Sequence, residues 1–249
     1  MAVLADLHNH SCLSPCGSLD MSPGMLALLA QRRRINVLAL TDHNSGLNCP
    51  AFAKVCPPLG ILPIFGIEAS TLEELHVVCL FPGLEACMDF SKYAYSILVP
   101  FPNKPEVTGD QVYVDENENI LGIVENYLVN PLDISVDDIG YKVKEYGGIA
   151  IPAHVDRPFF SMLSQLGAIV KGPWPAIECI NIPPHNLIDA GKPETHGYPM
   201  ITASDAHHCE HVGRRAFKLE AELDELAPNG LQGGVDLNAL TAALDKRPK

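Results

Sequence analysis

The sequence lacks the features that indicate a secreted or membrane-spanning protein. No basic start followed by an apolar stretch opens the chain, and no apolar run approaches the length of a membrane span. The eight cysteines include no Cys-x-x-Cys pair, which argues against a structural zinc site or a thioredoxin-like site. We therefore expect a cytoplasmic protein with reduced thiols and no membrane partner.

Positive charge is also scarce. The chain has 17 lysines and arginines against 30 acidic residues, for a net charge of -13 at pH 7, and its only basic run is Arg32 to Arg34. A general basic surface for long nucleic acid is therefore not expected. A small anionic substrate stays compatible with this charge if bound cations offset the acidity at the site.

Composition and length favour one compact domain over residues 1–249. The chain is 47% hydrophobic and 19% charged, which is typical of a globular protein with a large core. No internal repeat, low-complexity tract or change of composition marks a linker. The sequence leaves the oligomeric state open, a homo-oligomer included.

Short apolar runs recur, and several end in a polar or titratable residue. Val3 to Ala5 precede Asp6, Val37 to Leu40 precede Thr41, and Ile61 to Ile67 precede Glu68. Such runs predict buried parallel strands that carry chemical groups at their carboxyl ends. Helical patterns fill the gaps, so the alternation is β/α, as in a barrel whose active site lies on one face.

Three helices and one insertion can be placed along the chain. Ser22 is a plausible N-cap for a helix that starts at Pro23, Ser135 to Tyr146 form a second helix that stops at Gly147, and Asp236 caps a third over 237–244. Residues 95–130 break the rhythm with prolines and a polar turn. We predict an inserted β-hairpin there, with a plain surface loop as the alternative.

Histidines and acids are dispersed along the chain in a way that suggests a metal site. His8 and His10 alternate along an extended segment, so both imidazoles project to one side. The same candidate set continues with His43, Glu68, His76, His154, Asp205 and His207. A zinc finger takes its ligands from short clusters, whereas a set this dispersed requires a scaffold that gathers many strand ends.

The order of these motifs resembles the PHP (polymerase and histidinol phosphatase) superfamily. The resemblance rests on Asp6-Leu7-His8-Asn9-His10-Ser11, Thr41-Asp42-His43-Asn44, Gly66-Ile67-Glu68, Pro152-Ala153-His154 and Ser204-Asp205-Ala206-His207. It implies a distorted (β/α)7 TIM-like barrel with the hairpin inserted. It also implies two or three divalent ions, of Mn, Zn or Fe, used for phosphoester hydrolysis.

The resemblance further implies three groups of ligands. His8, His10, Glu68 and Asp205 would hold one metal, and Glu68 would bridge to a second held by His76 and His154. His43 and His207 would take the third, together with Cys16 in a position where the family pattern leads us to expect His or Asp. A thiolate suits the softer ions, but the alternative is an unliganded Cys16 with a weak third metal.

Several polar residues beside these motifs are candidates for supporting roles. Arg157 is placed to bind a substrate phosphate with its planar fork of donors, or to form a surface ion pair with an acid such as Asp156. Asp205 and His207 are candidate catalytic residues. Asp42, Asn44 and Asp6 are expected to orient imidazoles, and Arg214 and Arg215 are further phosphate candidates. The other histidines, His185, His196, His208 and His211, are assigned to the surface or to support.

The predicted function is hydrolysis of a small phosphorylated metabolite or nucleotide by metal-activated water. The first alternative is a non-catalytic module in which metals only stabilise the fold. The second is a metal-dependent amidohydrolase, a class that also begins with His-x-His on a barrel strand. Hydrolysis of amides or lactones without hydrolysis of phosphoesters would favour this last class.

Overall fold

The fold is mixed α/β and is built around a curled six-stranded sheet. A computed structural model of the chain describes residues 3–182 and 195–248. In the described residues the strands are β1 (Val3–Asp6), β2 (Val37–Leu40), β3 (Leu62–Ser70), β4 (His76–Phe81), β5 (Val112–Val114), β6 (Ile120–Ile123), β7 (Ile149–Pro152), β8 (Ile177–Glu178), β9 (Met200–Ile201) and β10 (Phe217–Leu219). The α-helices are α1 (Pro23–Arg32), α2 (Cys49–Val55), α3 (Leu84–Ser96), α4 (Pro105–Thr108), α5 (Val136–Glu145), α6 (Met162–Leu166), α7 (Leu223–Leu226) and α8 (Leu237–Asp245).

The main sheet has the order β10-β1-β2-β3-β4-β7 and mixed strand directions. Strands β1, β2 and β3 run parallel, whereas β4 is antiparallel to both β3 and β7, and β10 is antiparallel to β1. A second, parallel pair is formed by β8 and β9. The carboxyl ends of β1, β2, β3 and β7 and the amino end of β4 therefore meet at one edge.

Backbone hydrogen bonds link the strand pair β8–β9 and the segment after it to the segments that follow β7 and β1 of the main sheet. The Val155 amide, after β7, donates to the Glu178 carbonyl at 2.8 Å, and the Asp205 amide, after β9, donates to the His8 carbonyl at 2.9 Å. These bonds lie at the same edge as the strand ends described above. The α/β class is thus established, while the exact (β/α)7 arrangement and the single domain over 1–249 remain predictions.

Local sequence signals place the helix boundaries. The Ser22 hydroxyl accepts a hydrogen bond from the Met25 amide at 3.0 Å, and Pro23 opens α1, as predicted. Ser135 caps α5, and Asp236 accepts hydrogen bonds from two amides at the start of α8. The three predicted helix starts are confirmed.

Both faces of the main sheet are covered by apolar packing. Leu38 and Leu40 of β2 pack in a core with helix residues such as Phe52, while Val37 and Ala39 point to the other face and pack with Leu240 of α8. This alternation follows the two-residue period of a strand, and it explains why the strands are apolar throughout. No helix among the described residues is long and apolar enough to cross a membrane.

The segment 95–130 contains the antiparallel pair β5–β6 and the short helix α4. Two hydrogen bonds join it to the loops that follow β1 and β2. The Val112 backbone amide donates to the Cys12 carbonyl at 3.3 Å, and the Asn44 side-chain amide donates to the Leu128 carbonyl at 2.7 Å. The insertion therefore packs beside the segments that carry His10 and His43.

Candidate metal centre

A single buried carboxylate, that of Glu68 near the end of β3, lies at the centre of the predicted residues. Glu68 is only 1% exposed. Its oxygens approach a ring nitrogen of His76 at 2.8 Å, His43 at 3.0 Å, His154 at 3.1 Å, His8 at 3.2 Å and His10 at 3.3 Å. The structure thus brings five histidines from four separate segments onto one acid.

The strand directions explain this convergence. His8 and His10 follow the end of β1, His43 follows β2, and His154 follows β7, so all lie at one edge of the sheet. His76 is instead the first residue of its strand. Because β4 runs antiparallel to β3, with His76 paired to Ser70, its amino end reaches the same edge.

Asp205 and His207 complete the cluster from the segment after β9. The Asp205 Oδ1 atom lies 3.3 Å from His10 Nε2 and 3.6 Å from His8 Nε2. The ring of His207 stacks on that of His10, with centroids 4.2 Å apart. All eight predicted histidine and carboxylate positions therefore lie in one cluster.

Two of these residues have a strained backbone. His154 has φ of 30° and Asp205 has φ of 45°, in the left-handed region that side-chain-bearing residues rarely adopt. Two arginines hold the backbone that leads into Asp205. Arg214 Nε donates to the Ser204 carbonyl at 2.8 Å, and Arg215 Nε donates to the Ala203 carbonyl at 2.8 Å. Strain of this kind persists only where the surrounding structure enforces it, and it concentrates at functional sites.

The outer ring nitrogens of His8 and His10 are both occupied by buried partners. The Nδ1 atom of His8 is 2.8 Å from Glu178 Oε2, and the Nδ1 atom of His10 is 2.9 Å from Ser14 Oγ. Their Nε2 atoms are left facing each other at 3.1 Å inside the cluster. Partners of this kind set the tautomer and the ring orientation of a metal-binding histidine.

Sequence reasoning missed Glu178. It is 2% exposed and ends β8, the strand that pairs with β9. The available signal was its position at the end of the apolar run Ala176-Ile177, the same pattern that marks Glu68. Its pairing with His8 could not be predicted, because 170 residues separate the two.

We expect that replacing Glu178 with alanine weakens metal binding by about 10- to 100-fold, the usual cost of removing a carboxylate behind a ligating histidine. Glu178→Gln should weaken it less, because the amide oxygen can still accept the His8 Nδ1–H. Isothermal titration with Mn²⁺ measures both effects, with the exposed Glu145→Ala as the matched control. Equal affinity in the alanine variant and the wild type would show that Glu178 does not orient His8.

The donor atoms fit a divalent cation. Three sets of buried or half-buried residues each bring one donor atom within 4.8 Å of the others: His8-His10-Glu68, His43-Glu68-His76 and His10-His43-His207. Two of the close approaches in the cluster are not hydrogen bonds. His43 Nδ1 lies 3.0 Å from a Glu68 oxygen, and Asp205 Oδ1 lies 3.3 Å from His10 Nε2, yet neither His43 Nδ1 nor Asp205 Oδ1 has a hydrogen-bond partner among the described residues. Convergent lone pairs that do not pair with each other are what a cation requires.

The pKa values of Glu68 and His207 are both lowered in the cluster, but for different reasons. Burial would raise the pKa of Glu68, but the attraction of His76, His8 and His43 outweighs it and holds that pKa well below its usual range. For His207, burial and then the nearby His10 lower the pKa to about 3. Glu68 is thus ionised and His207 neutral near pH 7, the forms in which both can bind metal.

Cys16 lies beside the cluster at its exposed side. Burial lowers the pKa of His43, but the nearby Cys16 and Glu68 together raise it to about 9. Cys16 is not among the donor sets found in the described residues. Its role as a third-metal ligand therefore stays a prediction.

Arg157 forms its ion pair with Asp205 and not with its neighbour Asp156. The Nη1 atom is 2.9 Å from Asp205 Oδ2, and the side chain is 27% exposed. Asp156 instead accepts a hydrogen bond from the Ile180 amide at 2.7 Å. Arg157 thus lies at the mouth of the cluster, in contact with a candidate ligand.

Three expected supporting roles are different in the structure. Asp42 accepts hydrogen bonds from both Ser11 and Ser14, and it reaches His10 only through the Ser14 hydroxyl. Asp6 accepts hydrogen bonds from the backbone amides of Ser204 and Gly213. Both acids hold loops, and among the described residues neither bonds an imidazole directly. For Asp42 the reason is that the turn after β1 places Ser14 between this acid and His10.

Asn44 also holds a loop. Its side chain donates to the Leu128 and Asn130 carbonyls, which fastens the inserted segment beside His43. Of the remaining histidines, His196 bonds the Ile169 carbonyl and His208 packs against His211. His185 lies outside the described residues.

Solved structures share this fold. A lesion-specific endonuclease, endonuclease Q, from Pyrococcus furiosus superposes with a TM-score of 0.66 at 16% identity, over 98% of this chain and 56% of that protein. A putative metal-dependent phosphoesterase from Bifidobacterium adolescentis gives a TM-score of 0.55 at 15% identity, over 98% and 96%. An amidohydrolase from Chromobacterium violaceum gives 0.53 at 19%, over 98% of each chain. The chain therefore spans little more than half of the endonuclease.

No curated protein sequence matches. The model of the PHP domain matches residues 6–139, more than half of the chain. That range carries His8, His10, His43, Glu68 and His76, five of the clustered residues. On this evidence, the chain belongs to the PHP domain family.

Proposed function

We propose that the protein is a metal-dependent phosphoesterase that acts on a small phosphorylated metabolite or nucleotide. The observation that carries this proposal is the buried Glu68 carboxylate surrounded by five imidazoles. So many buried polar groups are costly unless a bound ion pairs with them. Family membership supports the proposal, since PHP proteins are metal-dependent hydrolases.

We assign the predicted ligands to two or three ions of Mn, Zn or Fe. One ion would take His8, His10, Glu68 and Asp205, a second Glu68, His76 and His154, and a third His43, His207 and Cys16. The donor sets favour this in part: they contain His8-His10-Glu68, but they group His43 rather than His154 with His76, and they add His10 to the third set. Such ions supply Lewis acidity that activates water and offsets charge on phosphate oxygens.

The residues of the chain itself would bind and orient the substrate. Arg157 offers a planar guanidinium at the mouth of the cluster, where it can donate hydrogen bonds to a substrate phosphate in place of Asp205. Glu178 and Ser14 bind the Nδ1 atoms of His8 and His10. This orients both rings with Nε2 facing inward and favours the tautomer with the proton on Nδ1. Neutral His207 and ionised Asp205 lie beside this space, and we assign them to the catalytic group with Arg157.

Removing the Arg157 side chain is expected to raise KM for a phosphoester by about tenfold, the value of a charge-assisted hydrogen bond, with a smaller change in kcat. Steady-state kinetics of Arg157→Ala against Arg32→Ala, which removes an exposed guanidinium from α1, checks this. An unchanged KM would remove Arg157 from the phosphate site.

A nucleic-acid substrate is a second candidate. A structural neighbour is a complex of endonuclease Q with a 27-mer duplex that carries an abasic lesion at its active site. The acidic composition of this chain argues against a basic groove for long DNA, but the shared fold means that composition alone does not exclude such a substrate. A duplex with one abasic site is therefore included in the test below.

The first experiment measures metal content by elemental analysis together with Mn²⁺-dependent hydrolysis on one preparation. The substrates are p-nitrophenyl phosphate, bis(p-nitrophenyl) phosphate and the abasic duplex. Two or three bound ions with turnover of either small ester would support the proposal and give the ester preference. Cleavage of the duplex alone would favour the nuclease, and bound metal without any turnover would favour a regulatory module or an amidohydrolase.

A further inference from the structure

Two aromatic residues, Phe159 and Phe160, follow Arg157 in the loop before α6. Phe159 is 71% exposed and Phe160 is 38% exposed. Phe160 stacks on His76, with ring centroids 5.0 Å apart and an interplanar angle of 13°. This loop therefore places an apolar surface directly beside a candidate metal ligand.

Three hydrogen bonds hold the loop in this position. The His76 amide donates to the Phe160 carbonyl at 3.2 Å, the Arg157 Nε atom donates to the Phe159 carbonyl at 3.1 Å, and the Ser161 hydroxyl donates to the Arg157 carbonyl at 2.6 Å. Phe160 has φ of 55°, which a bulky residue adopts only where its surroundings enforce it. The conformation of the loop therefore keeps the Phe159 side chain exposed.

The two rings have different surroundings. Phe160 lies against His76, and the guanidinium carbon of Arg157 lies 6.0 Å from its centroid, so this ring is already occupied by protein groups. Phe159 is the more exposed ring, and it lies two residues from Arg157. The Phe159 carbonyl accepts a hydrogen bond from Arg157 Nε, so the loop that carries this ring is fastened to the guanidinium that we assign to the phosphate.

We propose that Phe159 is a specificity residue that stacks on a planar aromatic ring in the alcohol part of the substrate, as in a nucleotide or an aryl phosphate. Phe160 is the positioning residue that fixes the loop on His76. This inference rests on the proposed function, and it narrows the substrate class to phosphoesters that carry such a ring. Stacking of a base on an aromatic side chain has ample strength for selection.

The test compares two non-hydrolysable ligands, phenylphosphonate and methylphosphonate, by isothermal titration of the Mn²⁺-loaded protein. Wild type should bind the phenyl compound about tenfold more tightly. Phe159→Ala should bring this ratio close to one, and Phe159→Trp should keep it. Cyclohexylphosphonate separates stacking from simple apolar contact, since it is apolar but not planar.

The matched control is Tyr141→Ala, which removes a ring that is 61% exposed on α5. It should leave the ratio as in wild type. The inference is overturned if the ratio of phenylphosphonate to methylphosphonate affinity is the same in Phe159→Ala as in wild type, or is one in wild type. Binding of either phosphonate would still support the proposed phosphate site in that case. Failure of the loaded wild type to bind either phosphonate or to hydrolyse any phosphoester overturns the proposed function itself, and the inference with it.

Discussion

Replacing Glu68 with glutamine is expected to abolish metal binding and to lower phosphoesterase activity more than about 100-fold. Loss of a partner behind a ligand already costs 10- to 100-fold, and Glu68 itself approaches five imidazoles. The substitution keeps the shape of the side chain but removes the charge that draws these rings and the ions together. Elemental analysis and Mn²⁺-dependent turnover on the same preparation measure both effects.

Two further variants sharpen this experiment. Glu145→Gln removes an exposed carboxylate, 62% accessible on α5, and should match wild type. Glu68→Asp keeps the charge on a shorter side chain that cannot reach all five rings, so we expect intermediate metal content. A folded Glu68→Gln protein with a full complement of metal would refute the central role of this acid.

Metal loading is expected to raise the melting temperature by roughly 8–16 °C when free Mn²⁺ is about 1,000 times its dissociation constant. Binding to the folded state alone then contributes about 4 kcal/mol, and each kcal/mol moves the melting temperature of a chain this size by about 2–4 °C. The physical reason is that the ions compensate the buried charges of the cluster. Calorimetry with Mn²⁺ and with EDTA measures the difference.

The Glu68→Gln variant is the matched control for this measurement, because it should melt at the same temperature in both conditions. Identical melting curves of the wild type with metal and with chelator would mean that the cluster does not bind Mn²⁺ in the folded state. In that case Zn²⁺ and Fe²⁺ would be tested in the same way.

The candidate metal cluster is largely predictable from sequence because each member belongs to a short local motif. His8 and His10 share a strand-like alternation, and Glu68 ends a long apolar run. Since parallel strands bring their carboxyl ends to one edge, the position of a residue along its own strand predicts its place in the cluster. The α/β class and the N-caps Ser22 and Ser135 follow from equally local signals.

The partners of these residues are not predictable in this way because they depend on contacts between distant segments. Glu178 reaches His8 only because β8 and β9 pack against the end of β1, and Asp42 meets the serines of a turn and no imidazole. The direction of β4 is also hidden, since an apolar run reads alike in both directions. A parallel β4 would place His76 at the opposite edge, away from Glu68.

Because Glu68 meets rings from four segments of the chain, the cluster cannot exist before the sheet is complete. His8 and His10 lie near the start of the chain, whereas His154, Asp205 and His207 come much later. During synthesis the ribosome would release the early histidines well before their last partners. Contacts between segments so distant in sequence form slowly, so tight metal uptake should be a late event that reports the end of folding.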